Sequence, residues 1–299
     1  MIEVLAPGSW TTIQDRGRPG YERIGVPSGG SLDRFAATVA NRLVGNHPDA
    51  ALIESTLTGA SLRFLSPSLI AITGGTCTRL AGWRTLAVTA NQTIDPGPIR
   101  PGMRSYLAVR GGIDVTPVMG SRSLCQRGAF GGGFGRPLRA GDRLKTGDLF
   151  SSDPADGEWP VVHRLPLQGP WEVRVMAGPH DDAFPPAALE RLLNTACRVT
   201  PHADRMGMRL ATLGLELRGD EILTTAVPEG GVQVTPSGEL IVLLAEHQTT
   251  GGYPIIATVI DADMPLLAQA RPGDTIHFRL VNGEEAARAR RRLSGWLAQ

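Results

Sequence analysis

Short apolar segments separated by turn-forming residues recur along most of the chain. Each run is three to five residues long and is rich in aliphatic or aromatic side chains, a pattern typical of β-strands. The pattern predicts strands at 62–65, 69–72, 86–88, 106–109, 173–175, 240–244 and 276–278. The 37 glycines and 23 prolines provide frequent turns between them. Many strands with few helices favour β-barrels or sandwiches over a doubly wound sheet.

Helical periodicity is confined to four segments. The clearest begins at Ser31, a candidate N-cap, and continues to Val44, with apolar residues at three- and four-residue intervals. Gly45 and Asn46 supply the stop signal. The other predicted helices span 185–194, 264–270 after a candidate cap at Asp263, and 284–297.

The two halves of the chain contain comparable passages. Each has a strand, a Gly-Gly turn, a second strand and a Gly-Asp turn in that order, around Gly111 and Gly112 in the first and Gly251 and Gly252 in the second. A stretch of low periodicity, 151–169, separates the halves. We therefore expect two duplicated β-domains, at 1–155 and 156–299.

Composition narrows the possible partners and compartment. The net charge is only +1, which argues against a nucleic-acid-binding protein. The three cysteines form no C-x-x-C pair, and a reducing cytoplasm is the expected environment. The N-terminus lacks the pattern of a signal peptide, and the longest aliphatic run, 240–245, is too short to cross a bilayer, so we expect no membrane partner.

The scarcity of lysine restricts the chemistry. The chain has 30 basic residues, and Lys145 is the only lysine among them. The sequence contains no P-loop motif G-x-x-x-x-G-K-[ST], so a P-loop nucleotide site is excluded. Lys145 also lacks the flanking methionines typical of a biotin carrier, so any biotin or aldimine must be supplied by another polypeptide.

The densest group of reactive side chains follows the predicted strand at 240–244. His247 could move protons near neutral pH, and Gln248 and Thr249 could orient an amide or ureido group. Gly251 and Gly252 would allow backbone N–H groups to approach an anion closely. The candidate catalytic residues are Glu246, His247, Gln248 and Tyr253. The alternative is an ordinary β-turn with a hydrogen-bonded histidine.

A second polar group lies near the N-terminus. Gln14, Asp15 and Arg18 occupy a glycine-rich segment, and Ser28 precedes a predicted helix start, where an anion could bind. The alternative is an ion-paired loop with an N-cap. The full set of candidate substrate- or anion-binding residues is Gln14, Asp15, Arg18, Ser28, Asp33, Arg104, Tyr106, Arg205, Gln233, Thr249, Gly251 and Gly252. No metal site is expected. His247, Gln248 and Tyr253 are expected to line a common pocket with Arg205 or Arg104.

Five ordered segments together resemble the family named for allophanate hydrolase subunit 2. This family includes 5-oxoprolinase C subunits, KipA-like proteins and part of the urea carboxylase carboxyltransferase domain. The segments are TTIQDRGR at 11–18, ANRLVGN at 40–46, RSYLAVRGGID at 104–114, DRMGMRL at 204–210 and QTTGGYP at 248–254. The resemblance covers residues 1 to about 280.

The resemblance implies a mainly β fold with two cyclophilin-like β-barrel domains and a few short helices. It implies one component of an enzyme that opens the 5-oxoproline lactam to glutamate with ATP and Mg²⁺, working with a KipI-like B subunit, together with an A subunit. One alternative is a carboxyltransferase component that moves a carboxyl group from separately carried biotin to a urea or amide. Another is a non-catalytic KipA-like regulator of a kinase inhibitor.

Two positions depart from the family pattern. Relatives usually carry Asp where this chain has Glu246, and many carry a basic residue where it has Ile255. An apolar side chain at Ile255 cannot make the carboxylate or phosphate contact that a basic residue would make there. The identity of the substrate is therefore open.

Overall fold

The computed structural model describes residues 1–147, 157–211, 213–218 and 222–298. The expected domain boundary after residue 155 falls outside the described residues. The fold is mainly β with few short helices, as the strand pattern and the resemblance predict. All seven predicted strands are present, some of them longer than expected.

The chain forms two compact units that do not simply follow one another in sequence. The first contains residues 1–18 and 29–167, and the second contains residues 19–28 and 168–299. Residues 19–28, here called the strap, therefore group with the C-terminal half although both flanking segments belong to the first unit. The strap includes a 3₁₀ turn, Glu22–Ile24.

Two five-stranded sheets build the first unit. The strands are β1 (Ile2–Ala6), β2 (Trp10–Gln14), β3 (Leu52–Thr56), β4 (Ser61–Phe64), β5 (Ser68–Gly74), β6 (Thr85–Val88), β7 (Thr93–Ile94), β8 (Arg104–Val109), β9 (Ile113–Asp114) and β10 (Arg143–Thr146). Their orders are β7-β4-β1-β10-β9 and β2-β3-β8-β5-β6. Successive side chains of a strand point to opposite faces of the sheet, and Ile53 of β3 lies in an apolar cluster with Leu107 of β8. Glu54, on the opposite face of β3, pairs in register with Tyr106.

The one α-helix of the first unit, among the described residues, is α1 (Arg34–Leu43). It begins later than expected, and its N-cap is Asp33 rather than Ser31, because Asp33 accepts a 2.8 Å hydrogen bond from the Ala36 N–H. The backbone N–H of Ser31 instead donates to the Asp15 carbonyl at 2.9 Å.

A seven-stranded sheet organises the second unit. The strands are β11 (Trp171–Ala177), β12 (Cys197–Arg198), β13 (Gly207–Leu210), β14 (Thr225–Ala226), β15 (Gly231–Val234), β16 (Leu240–Leu243), β17 (Thr250–Gly251), β18 (Ile255–Val259) and β19 (Thr275–Leu280). The sheet order is β12-β19-β11-β18-β15-β16-β13, and β14 pairs separately with β17. Within it β11 and β19 run parallel.

Three α-helices are described in the second unit: α2 (Ala188–Asn194), α3 (Met264–Gln269) and α4 (Gly283–Leu297). Asp263 occupies the N-cap position of α3, as expected, but its side chain makes no capping hydrogen bond. Its carboxylate accepts from the Arg174 backbone N–H at 2.7 Å and from Arg174 Nε at 2.9 Å, so it ties α3 to β11. Asn282 caps α4 by accepting from the Glu285 N–H at 3.0 Å.

Candidate active site in the second unit

The polar segment after β16 continues the pairing of β16 with β13. The Leu244 N–H donates to the Met206 carbonyl and the Glu246 N–H to the Arg205 carbonyl, both at 2.9 Å. The His247 N–H then turns back to the Leu244 carbonyl at 2.9 Å. Because these hydrogen bonds fix the backbone of the segment, the side chains at the strand end are held in defined positions.

Glu246 and Arg205 form a buried ion pair at this strand end. Arg205 Nε lies 2.6 Å from Glu246 Oε1, and the two side chains are 6% and 3% exposed. A buried carboxylate needs a partner of opposite charge, because burial removes its hydration. Glu246 and Arg205 therefore neutralise one another.

His247 is buried next to this pair, and its hydrogen bond indicates the tautomer. Its Nδ1 lies 2.6 Å from the Gln248 carbonyl oxygen. A carbonyl can only accept, so Nδ1 carries the hydrogen and, in the neutral ring, Nε2 holds the free lone pair. The ring is therefore arranged to take up a proton at Nε2.

Two carboxamides and a tyrosine define a small pocket of about 220 Å³. Gln248 Nε2 donates to Gln233 Oε1 at 3.3 Å, and Gln233 Nε2 donates to the Tyr253 carbonyl at 3.4 Å. Gln233 is 1% exposed, so this chain of hydrogen bonds fixes its orientation. The remaining lining residues are His202, Asp204, Met206, Gly207, Arg209, Ile241 and Leu243.

Gly251 faces the same amides. A Cβ built at this position would lie 2.8 Å from Gln233 Nε2 and 3.5 Å from Gln248 Nε2. Any larger residue would thus push against the pocket, which accounts physically for the glycine. Thr249 and Gly252 belong to the supporting loop, where the Thr249 carbonyl accepts from the Val227 N–H at 3.2 Å.

A larger cleft of about 970 Å³ shares Tyr253 with the small pocket. It is lined by Gly214, Leu215, Glu216, Leu217, Pro236, Ser237, Gly238, Gly252, Tyr253 and Pro254. Glu216 is the only ionised side chain among these described lining residues, so they offer no cation to a phosphate group.

The expected common pocket is thus only partly formed. Gln248 and Tyr253 line one pocket, whereas His247 and Arg205 line neither of the two pockets described above. The reason is that Arg205 turns toward Glu246 and the His247 ring toward the Gln248 carbonyl. Arg104 belongs to the first unit.

In the first unit, Asp15 and Arg18 organise loops. The Asp15 carboxylate accepts from Gly17 N–H at 2.8 Å, Ser121 Oγ at 2.7 Å and Ser123 Oγ at 2.6 Å. Arg18 is 1% exposed, donates to the Ser123 carbonyl and lies over the Phe130 ring at 5.0 Å. Anion binding by Arg18 stays a prediction, and in this structure its guanidinium is buried within the loop.

Two other first-unit candidates, Tyr106 and Asp33, link the start of α1 to the sheet. The Tyr106 hydroxyl accepts from the Asp33 N–H at 2.8 Å, and Glu54 accepts from the Leu32 N–H at 3.0 Å. Burial, reinforced by the charges of Glu54 and Asp33, raises the pKa of Tyr106 well above its usual value. Gln14, fully buried, donates to Thr12 Oγ1 at 3.0 Å, and Arg104 is 3% exposed beside Met103.

Ser28 belongs to the strap and has a structural partner. Its hydroxyl donates to Glu22, whose other carboxylate oxygen accepts from the Gly20 N–H at 2.8 Å. Sequence reasoning missed Glu22, and it also missed the pocket residues His202, Asp204 and Arg209. Asp204 and Arg209 lie in the segment DRMGMRL, but a local motif does not show which side chains meet, and only the tertiary fold brings them to the pocket.

Thiol and metal chemistry find little support in the described residues. Burial raises the pKa of Cys77 to about 11 and that of Cys197 to about 12, so neither thiol ionises readily. The described side chains contain no group of three or more His, Cys, Asp or Glu that could hold a metal ion. In the same part of the chain, no helix is both long enough and apolar enough to cross a membrane.

Comparison with known proteins identifies the family. The model of the carboxyltransferase domain, subdomains A and B, matches residues 24–280. The chain belongs to this carboxyltransferase domain family. It is 40% identical to the 5-oxoprolinase C subunit of Escherichia coli K12, over 97% of this chain and 94% of that protein. It is 36% identical to the Haemophilus influenzae 5-oxoprolinase C subunit, over 100% of this chain and 97% of that protein.

A solved member of the carboxyltransferase domain family has the same fold. The crystal structure of Kluyveromyces lactis urea carboxylase superimposes with a TM-score of 0.94 at 30% identity, over 99% of this chain and 29% of that chain.

The two positions that depart from the family pattern have defined surroundings in this chain. Glu246 pairs with Arg205, and Ile255 is fully buried in an apolar cluster with Val227 and Leu243. The Ile255 side chain therefore offers no contact to a ligand.

Proposed function

We propose that this chain is the C subunit of a heteromeric 5-oxoprolinase that uses ATP to open 5-oxoproline to glutamate. The observation that carries the proposal is the small pocket of Gln233, Gln248 and Tyr253, in a chain similar over its whole length to 5-oxoprolinase C subunits. The partners would be a KipI-like B subunit, together with an A subunit.

The carboxamide chain suits a ligand with adjacent N–H and C=O groups. Gln248 Nε2 is directed to Gln233, so the Gln248 side-chain carbonyl oxygen can accept from a lactam N–H. A pocket of about 220 Å³ has room for a small cyclic amide. A site built to hydrogen-bond an amide rejects analogues that lack one, because its own polar groups would be left unpaired.

Lactam opening requires activation, because amide resonance deactivates the carbonyl carbon. Transfer of the terminal phosphoryl group of ATP to the carbonyl oxygen releases ADP and makes that carbon electrophilic. Water then adds to that carbon, and the ring C–N bond breaks as the nitrogen gains a proton, which leaves an acyl phosphate. A second water hydrolyses the acyl phosphate to the carboxylate of glutamate and free phosphate. In this scheme His247 takes the proton from water at Nε2, because its Nδ1 is bonded to the Gln248 carbonyl.

ATP would be bound mainly by the partner subunits. The sequence lacks a P-loop, and the described lining of the larger cleft contains no arginine, lysine or histidine. A triphosphate is usually held by cationic side chains, backbone N–H groups and Mg²⁺. This division of labour explains why a C subunit would work only within the complex.

Carboxyl transfer is the second candidate, favoured by the close structural likeness to a urea carboxylase. In that case biotin would arrive on a separate carrier, since Lys145 lies within β10, which pairs with β9. Urea and 5-oxoproline share a planar N–C=O unit, so the same pocket could bind either substrate.

Reconstitution separates the two functions. We expect the isolated chain to show no turnover, and the complex with its B-like and A-like partners to hydrolyse ATP only when 5-oxoproline is added. Urea, tested with a biotin carboxylase and carrier, serves as the matched alternative. Robust 5-oxoproline-dependent ATP hydrolysis by the single chain would contradict the proposal. So would a result in which urea is carboxylated and 5-oxoproline is not hydrolysed.

A further inference from the structure

Three side chains of the small pocket lie in a row across the sheet of the second unit. Strand pairing places Arg209 of β13 opposite Ile241 of β16, and Ile241 opposite Gln233 of β15. Residues directly opposite one another on neighbouring strands point to the same face, and all three line the pocket of about 220 Å³. Two strand spacings separate the backbones of Arg209 and Gln233 by about 10 Å. Their side chains can therefore contact opposite ends of one small ligand.

The pocket floor beside Arg209 is kept open by a glycine. Gly207 precedes Arg209 by two residues in β13 and so lies on the same face of the sheet. A Cβ at this position would lie 2.9 Å from Ile241 Cγ2, which is closer than ordinary van der Waals contact. A larger residue would thus fill the space next to Arg209.

Arg209 brings a positive charge to the pocket. It is the only arginine or lysine among the described residues that line this pocket. The Asp204 carboxylate, also in the lining, accepts from the Met206 N–H at 2.8 Å and from the Gly207 N–H at 3.1 Å through the same oxygen, Oδ1. These bonds tie Asp204 to the turn before β13. The pocket therefore combines the carboxamide of Gln233 with the guanidinium of Arg209.

The Arg209 guanidinium has donors available for a ligand. Its Nη1 donates to Glu239, and the pair is only partly buried, with side chains 43% and 29% exposed. Within the part of the chain that the structure describes, the Arg209 side chain makes no other hydrogen bond or ion pair. Glu239 thus directs the guanidinium and leaves Nε and Nη2 unused. An arginine carries five N–H donors in a planar fork that matches a carboxylate.

We infer that Arg209 determines specificity by binding the carboxylate of the substrate, while Gln233 and Gln248 bind its amide. The inference rests on the proposed function. In 5-oxoproline the carboxylate is attached to the ring carbon next to the lactam nitrogen, so both groups fit in one small pocket. A guanidinium binds such a carboxylate through two parallel hydrogen bonds. Urea has no carboxylate, so Arg209 favours 5-oxoproline over urea.

Four variants of the full chain separate this role from a structural one. Arg209→Gln removes the charge, and Arg209→Lys keeps the charge without the fork. Asp204→Asn removes the opposing charge, and its amide oxygen can still accept from both backbone N–H groups. Arg279→Gln is the matched control, because Arg279 is also 43% exposed and ion-paired, with Glu172, but does not line the pocket.

The probes are 5-oxoproline and 2-pyrrolidinone, which is the same lactam without the carboxylate. NMR titrations of the full chain, followed by the glutamine side-chain amide signals, give the Kd of each. We expect Arg209→Gln to raise the Kd of 5-oxoproline about 10–100-fold, the usual effect of losing a hydrogen bond to a charged group. Arg209→Lys should give a smaller increase. The Kd of 2-pyrrolidinone should stay within about twofold in both variants, which also shows that the pocket is folded.

Asp204→Asn and Arg279→Gln should not weaken 5-oxoproline binding. The inference would be overturned if the wild-type chain did not bind 5-oxoproline, or if Arg209→Gln weakened both probes equally or neither. It would also be overturned if Asp204→Asn weakened 5-oxoproline as much as Arg209→Gln. Carboxylate-selective binding that depends on Arg209, in a reconstituted complex that does not hydrolyse 5-oxoproline, would uphold the inference and reject only the proposed function.

Discussion

At the scale of single residues, Glu246 and His247 are neighbours in the chain with different roles. The Glu246 carboxylate is paired with Arg205, and breaking such a buried pair typically costs about 3–5 kcal/mol. The His247 imidazole bonds only through Nδ1 to a backbone carbonyl in the contacts described above. Glu246 therefore stabilises the strand end, while His247 is suited to chemistry.

Replacement of His247 by Ala should lower kcat of the reconstituted complex by about 10²–10⁴-fold, the usual contribution of a general acid–base group. The melting temperature should change little, because the strand pairing around it uses the backbone. His277→Ala, at an exposed position of β19, provides the control. Activity within about threefold of wild type in a folded His247→Ala protein would show that His247 is not catalytic.

At the scale of elements, one glycine within the strap and one just after it adopt the left-handed conformation. Gly30 has φ +93°, and a Cβ there would lie 2.7–2.8 Å from backbone atoms of Arg16 and Gly17. Gly25 has φ +81° with no atom within 4 Å of an added Cβ. The two positions share the left-handed conformation but differ in available space.

Gly25→Ala should therefore cost only the conformational term, about 1–2 kcal/mol. Gly30→Ala should add a steric term of about 1–3 kcal/mol, since backbone atoms have to shift. Urea denaturation of both variants measures the difference. Equal destabilisation would show that the backbone around Gly30 accommodates a side chain.

At the scale of the whole molecule, each compact unit buries apolar residues of its own. Leu107 packs in the large cluster of the first unit, and Leu243 packs with Val227 and Ile255 in the second. Both leucines are at most 4% exposed. Units with separate cores can unfold in separate steps.

Leu107→Ala and Leu243→Ala form a matched pair, each expected to cost about 2–5 kcal/mol. Calorimetry should show two transitions, with each substitution lowering a different one. A single transition lowered equally by both would mean that the two units unfold together.

Local patterns were sufficient for the four helices and for seven of the 19 strands in the described residues. Strands and helices follow from short-range periodicity and turn residues, so all seven predicted strands are present and the four predicted helices differ mainly at their ends. The motif at 246–253 likewise identifies the strand end that carries Gln248 and Tyr253 beside the small pocket. These features depend on residues close together in the chain.

Partnerships between distant residues were decided by the tertiary structure alone. The Asp33 side chain caps α1 in place of Ser31, whose N–H is held by the Asp15 carbonyl. The Asp263 carboxylate, at the N-cap position of α3, binds Arg174. Arg18 is buried under its own loop, and Glu22 reaches the unit that contains His247. A charge or hydrogen-bonding group does not specify its partner in the sequence; that choice follows from which segments packing brings together.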